Sequence, residues 1–297
     1  MATTSELVAQ VPWSDTESLI TDRPPLARQL VRDRTALAGL AIVAIVALVA
    51  IAAPLIAPHD PDLQDVANRL QGPSLQHPIG TDNLGRDELS RIIYGSRVSV
   101  LTTLAVGVAI LTIGIVVGIV SGLAGGLVDG FVMRIVDVLL AFPSFLLALA
   151  VAGTLGPGLL HLALAMTAVW WVEYARLVRG LVLGVKELPF VEAARALGCS
   201  RTRIALRHVL PNVAPPVIVL ATLQTSRLLL SLASLSFLGL GVGPPTAEWG
   251  SMLNDGKDFL ATSPELMLWP GLAITITALG LNLLGDGLRD VLDPNLR

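Results

Sequence analysis

Apolar positions in this chain are gathered into long uninterrupted runs. Thr35 to Pro58 and Val98 to Val128 carry no charge, Val138 to Val172 holds only His161, Val209 to Ala247 is interrupted by Arg227 alone, and Leu266 to Gly285 is again uncharged. A helix needs about 20 residues to cross about 30 Å of hydrocarbon, and backbone polar groups find no water there. The runs therefore predict six membrane-spanning helices, at about 36–57, 99–121, 131–152, 159–181, 211–236 and 266–286. The stretch Gly153-Thr-Leu-Gly-Pro-Gly158 is read as a helix-breaking turn between the third and fourth. A soluble bundle would show a polar face on each helix, and these runs show none.

Two polar segments are too long to be simple turns. In the first, Leu89, Ile92 and Ile93 recur at helical spacing opposite Asp87, Glu88 and Arg91, which predicts a short amphipathic helix lying at the membrane surface. The second runs from Lys186 to Asn212. Pro189 suits a first helical turn, Phe190 to Leu197 are good helix formers, and Gly198 is placed to end them, giving a short helix with small Ala193 and Ala194. Such a helix can fit closely into a groove on another protein, or be an ordinary basic connector.

Charge refines this picture. Only 14% of the 297 residues are charged and 53% are hydrophobic, well away from soluble domains. A net charge of −3 leaves no basic excess for a nucleic-acid backbone, so no nucleic-acid partner is expected. The single Cys199 and four scattered histidines offer no evident metal-ligand cluster, and no metal site is expected. With both termini inside, fourteen of the twenty Lys and Arg residues fall on inner segments. Five (Arg69, Arg86, Arg91, Arg97 and Lys257) fall outside and Arg227 lies within a span, so the positive-inside bias places both termini in the cytoplasm.

Several intramembrane residues stand out. Gly114, Gly118, Gly122 and Gly126 form a stripe along which another helix can approach closely. Arg134 and Asp137 are spaced to pair on one face, and Pro215 and Pro216 are expected to kink the fifth span. Arg227, costly in lipid, should face protein or a wet pathway, with Ser231, Ser234 and Ser236 on the same helix.

The segment Glu192-Ala-Ala-Arg-Ala-Leu-Gly198, followed by His208-Val-Leu-Pro-Asn212, resembles the EAA loop of permease subunits in bacterial binding-protein-dependent ABC importers. Gly80-Thr-Asp-Asn-Leu-Gly-Arg-Asp87, Ile93-Tyr-Gly95, Ala141-Phe-Pro143 and Leu235-Ser-Phe-Leu-Gly-Leu-Gly241 with Pro244, Pro245, Trp249 and Gly250 resemble the C-type permease of dipeptide, oligopeptide and nickel importers. The resemblance runs from about Ala36 to the C-terminus. It implies an all-α polytopic fold with six transmembrane helices and a type I, MetI-like permease core. The corresponding parts are a cytoplasmic tail (1–34), a first span (35–58), an extracytoplasmic segment with an interfacial helix (59–97), a five-helix core (98–289) with a cytoplasmic coupling loop (184–209), and a cytoplasmic C-terminus (290–297).

By the same resemblance, Glu192, Ala193, Ala194, Gly198 and Pro211 would meet an ATPase subunit. Asp82, Arg86, Asp87, Glu248 and Trp249 would face an extracytoplasmic substrate-binding protein. From its place within a span, not from the resemblance, Arg227 is a candidate with Ser231 and Ser234 to border the pathway and meet a substrate carboxylate, with pairing to the second permease as the alternative. Leu232 stands where the family commonly has an acid, which departs from its pattern. The implied partners are a second, B-type permease, two ABC ATPases, the binding protein, a peptide substrate and the lipid of a bacterial inner membrane. The implied function is import of di- or oligopeptides, with nickel or another small solute as the alternative. No catalytic residues are expected. The chain lacks a G-x-x-x-x-G-K-[ST] motif: at Gly256-Lys257, Ser251 stands where the first Gly belongs and Asp258 where Ser or Thr belongs. ATP and magnesium would be bound by the partner ATPases. A stand-alone secondary transporter is disfavoured, because no inverted repeat or intramembrane acid for ion coupling is evident. An intramembrane protease is disfavoured because no Ser/His pair or metal-ligand cluster shares one depth.

Overall fold

The computed structural model describes residues 33–292. Most of the expected N-terminal tail and the last five residues lie outside the described residues. Ten α-helices carry the fold: α1 (Arg34–Ile56), α2 (Glu88–Ala124), α3 (Gly126–Leu140), α4 (Ser144–Leu155), α5 (Leu159–Val185), α6 (Pro189–Ala196), α7 (Arg201–Ile204), α8 (Leu210–Leu235), α9 (Trp249–Gly256) and α10 (Glu265–Leu292). Among the described residues, β structure amounts to one isolated bridge between Thr81 and Asp87.

Helices α1, α2, the run Arg201–Leu240 and α10 are long and apolar enough to cross a membrane; the bent pair α3 and α4 makes a fifth if taken as one span. Helix α5 is as long, with 27 residues, but His161, Glu173, Arg176 and Arg179 lower its hydropathy. Length and composition thus support four or five spans where six were expected.

The third expected span is broken. Helices α3 and α4 meet at 88° across Ala141-Phe142-Pro143. Pro143 has no N–H to continue the helix, and Phe142 before it is pushed out of helical backbone. The amphipathic helix expected at the membrane surface is not separate. Residues 88–97 are the first turns of the 37-residue α2, capped by the Asp87 side chain, which accepts from the Ser90 N–H.

Helices α2 and α5 form the centre of the bundle. A Cβ at Gly114 would stand 2.3 Å from the Tyr174 Cβ, and one at Gly122 would stand 2.7 Å from Val182 Cγ1. The stripe therefore brings backbones together, as small residues do where no hydrophobic drive separates helix from lipid. Gly126 does not share in it: its backbone is left-handed at φ +54 and it opens α3. On the other side, α1 lies on α10, where a Cβ at Gly39 would meet the Leu284 backbone nitrogen at 2.3 Å. Helix α10 in turn packs on α8, where the Ser226 hydroxyl donates to Asn282 Oδ1 at 2.6 Å.

The fifth expected span continues as one helix, α8, through Pro215 and Pro216. Its irregular turns lie at the two ends, as wide π-type turns at Ala205–Val209 and Ser236–Leu240. There Gly239 adopts φ +88, which a side chain would resist.

Candidate functional site

The short helix α6 is built as a projecting ridge. Pro189 occupies its first turn, the Leu197 N–H donates to the Ala193 carbonyl, and Gly198 takes φ +79 to turn the chain toward Ser200, which caps α7. Val191 and Ala194 are buried in the main core with Ile204 and Val209. Glu192, Ala193, Leu197 and Gly198 are exposed, and Leu197 keeps 85% of its surface. Of the residues expected to dock a partner, Glu192, Ala193, Gly198 and Pro211 therefore lie on the surface. Ala194 is corrected: it faces inward and seats the helix. Behind α6 a cavity of about 540 Å³ is lined by Lys186, Glu187, Arg195 and Arg201, among others.

Two ion pairs at this end fix α3 against α5. Arg179 donates from Nε and Nη2 to the two Asp129 oxygens at 2.5 Å each, and the Ser121 hydroxyl joins the same carboxylate. Asp137 pairs with Arg176 across two helices. The expected partnership of Asp137 with Arg134 is not made, because α5 brings a closer guanidinium.

On α8, Arg227, Leu230 and Ser234 are exposed and Ser231 is half-buried, a spacing that places them on one helix face. The Ser234 hydroxyl donates back to the Leu230 carbonyl at 2.7 Å. Among the described residues no carboxylate lies within 4.0 Å of Arg227. One turn before Arg227 on α8, Gln224 Nε2 donates to Glu173 Oε2 at 2.8 Å. Two open apolar cavities, of about 420 and 640 Å³, follow α2 and α5 and share Leu101, Thr102 and Leu159. Neither includes Arg227, Ser231 or Ser234.

At the other end, the five residues expected to face a binding protein are all buried: Asp82, Arg86, Asp87, Glu248 and Trp249 each keep 5% or less of their surface. This corrects the expectation. They form a knot that holds the loops to α2. Asp82 Oδ1 accepts from the N–H groups of Leu84 and Arg86, and Oδ2 accepts from Arg86 Nε at 2.6 Å, with Arg91 Nε 3.4 Å away. Arg91 Nη1 donates to the carbonyls of Pro61 and Pro245, so one side chain clasps both loops. Asp255 lies 3.7 Å from Arg86, and its burial raises its pKa above the ordinary carboxylate value.

Glu248 caps α9, accepting from the N–H groups of Gly250 and Ser251 and from the Ser99 hydroxyl. Trp249 Nε1 donates to the Ile92 carbonyl at 3.0 Å. A charged or aromatic residue in a loop motif gave no sign of this inward orientation. Segments 62–67 and 71–76, which carry no motif, are exposed.

Sequence reading also missed a meeting of histidines. His59 and His77, 18 positions apart, converge on Asp87. His77 Nδ1 lies 2.9 Å from Asp87 Oδ1 and His59 Nδ1 lies 3.7 Å from the same atom. His161 is elsewhere, its Nδ1 3.2 Å from the Gly156 carbonyl.

A bundle with several membrane-length helices, a short exposed helix at one end and loops knotted to the core at the other is a multi-span membrane protein. Residues 114–297 match the family described as binding-protein-dependent transport system inner membrane component, and the chain belongs to that family. Residues 26–73 match the N-terminal transmembrane domain of oligopeptide transport permease C. The chain is 46% identical over 275 residues to the glutathione transport system permease protein of Shigella flexneri, covering 91% of this chain and 89% of the relative. It is 42% identical over 270 residues to the dipeptide transport system permease protein of Alkalihalophilus pseudofirmus, with 91% and 89% covered. It is 43% identical over 239 residues to the nickel transport system permease protein of Escherichia coli, with 80% and 86% covered.

Proposed function

We propose that this chain is one of two permease subunits of an ATP-driven importer and forms half of a translocation pathway for di- or oligopeptides. The observation that carries the coupling role is the ridge of α6: a short helix anchored by Val191 and Ala194 that presents Glu192, Ala193, Leu197 and Gly198 outward. Closure of two partner ATPases would push on this helix, and the rigid α2–α5 pair would carry the displacement through the membrane.

In this reading α5 completes a six-span topology, both termini are cytoplasmic, and α6 lies on the cytoplasmic side. The exposed loop 60–76 then faces a substrate-binding protein, and the Arg227 face of α8 meets the second permease or the peptide carboxylate. ATP and magnesium belong to the ATPases.

The substrate assignment is tested by reconstituting the chain with its second permease, ATPases and binding protein in liposomes and following labelled dipeptide and nickel. ATP-dependent dipeptide uptake is expected. Nickel uptake without peptide uptake would replace the substrate, and uptake independent of ATP would refute the importer.

A further inference from the structure

We propose that His59, His77 and Asp87 form a binding site for a divalent transition-metal ion of the zinc class, which clips the loop after α1 to the start of α2. One ligand atom from each residue lies within 4.8 Å of the others. Ions bound by nitrogen and oxygen at about 2.0–2.2 Å hold their ligands about 3.3–3.6 Å apart in a tetrahedron. The observed 2.9 and 3.7 Å from Asp87 Oδ1 to the two Nδ1 atoms bracket that separation, so small side-chain rotations suffice.

The carboxylate is already oriented for this work. Asp87 Oδ2 accepts from the Ser90 N–H at 2.8 Å and the Ser90 hydroxyl at 2.7 Å, which leaves Oδ1 turned toward the histidines. The Ser90 oxygen also accepts from the His59 backbone N–H at 3.0 Å, so one hydroxyl positions two of the three ligands. Outer contacts of this kind fix the ligands of metal sites. An ordinary hydrogen bond from a neutral His77 to Asp87 accounts for His77 alone. It leaves the His59 Nδ1 unexplained, since that atom is buried, points at the same oxygen and has no hydrogen-bond partner.

Asp87 is 1% exposed, His77 16% and His59 36%, so the donor atoms lie inside while an ion can still enter from solvent. Two imidazoles and one carboxylate suit zinc and its neighbours, with water completing the coordination. The bound ion would join three segments separated by 18 and 10 residues.

The full-length chain, purified in nanodiscs with an affinity tag free of histidine, is stripped with chelator and titrated with cobalt(II) as a spectroscopic probe and then with zinc. One ion per chain, visible d–d absorption displaced by zinc, and affinity at least about tenfold weaker in His59→Gln and His77→Gln but unchanged in His208→Gln are expected. Binding that is absent, or equal in all three variants, would overturn the site. Should either variant lose its monodisperse elution, the wild-type protein decides: zinc is expected to protect His59 and His77 from diethyl pyrocarbonate, and equal modification with and without zinc would refute the proposal.

Discussion

Gly118 of α2 and Val178 of α5 touch so closely that a Cβ on the glycine would lie 2.7 Å from the Val178 Cβ and 2.8 Å from the Ala175 carbonyl oxygen. Nothing with a side chain fits there unless the two helices separate. Gly118→Leu is therefore expected to destabilise the bundle by about 1–3 kcal/mol, lowering the thermal unfolding midpoint in detergent. Gly107→Ala on the same helix meets only Leu228 Cδ1 at 3.6 Å and should leave the midpoint unchanged or slightly higher.

The knot around Asp82 predicts a folding defect where a partner surface would predict only a binding defect. Asp82→Ala leaves Arg86 and Arg91 buried with the carboxylate they share removed, a loss of about 3–5 kcal/mol. Asp258→Ala, on the exposed outer turn, should cost no more than about 0.5 kcal/mol. Limited proteolysis of loop 58–87 reads the difference, since the loop is released when the knot fails.

The two acids of α3 should differ as well. Asp129 receives both arms of Arg179 and the Ser121 hydroxyl, and Asp129→Ala is expected to cost about 1.5–3 kcal/mol. Asp137 and Arg176 are both more than half exposed, so Asp137→Ala should cost about 1 kcal/mol or less. Parallel chemical denaturation of the two variants checks the order.

Arg227 sits on an exposed face with its charge unneutralised among the described residues. Arg227→Leu is expected to fold at least as well as the parent, because removing the charge makes membrane insertion easier. Uptake in the assembled complex is expected to fall about tenfold or more, the equivalent of one charge-assisted contact. Unchanged uptake in liposomes would show that this face takes no part in transport.

Long uncharged runs were legible because crossing a bilayer constrains length and polarity at once, so α1, α2, α8 and α10 follow from the sequence directly. The position of α6 was legible too, through Pro189 and Gly198, which act on the local backbone. What could not be read was the direction in which loop side chains point. Asp82, Arg86 and Trp249 looked like surface residues because polar groups in loops usually are, yet they are satisfied inside, Asp82 by Arg86 and Trp249 by the Ile92 carbonyl 157 positions away. The pairing of Asp137 with Arg176 and the meeting of His59 with His77 are of the same kind, since both depend on which elements come together in space.

In the proposed function, the outward ridge of α6 transmits the work of the ATPases. This role is tested most directly by carrying Glu192→Arg and Leu197→Asp into the assembled importer and measuring ATPase copurification beside ATP-driven uptake. Both residues are exposed, so the variant chain is expected to fold and to pair with the second permease. Copurification and uptake are each expected to fall by about tenfold or more, as for loss of a central interface residue. Retention of both at the parental level would contradict that role.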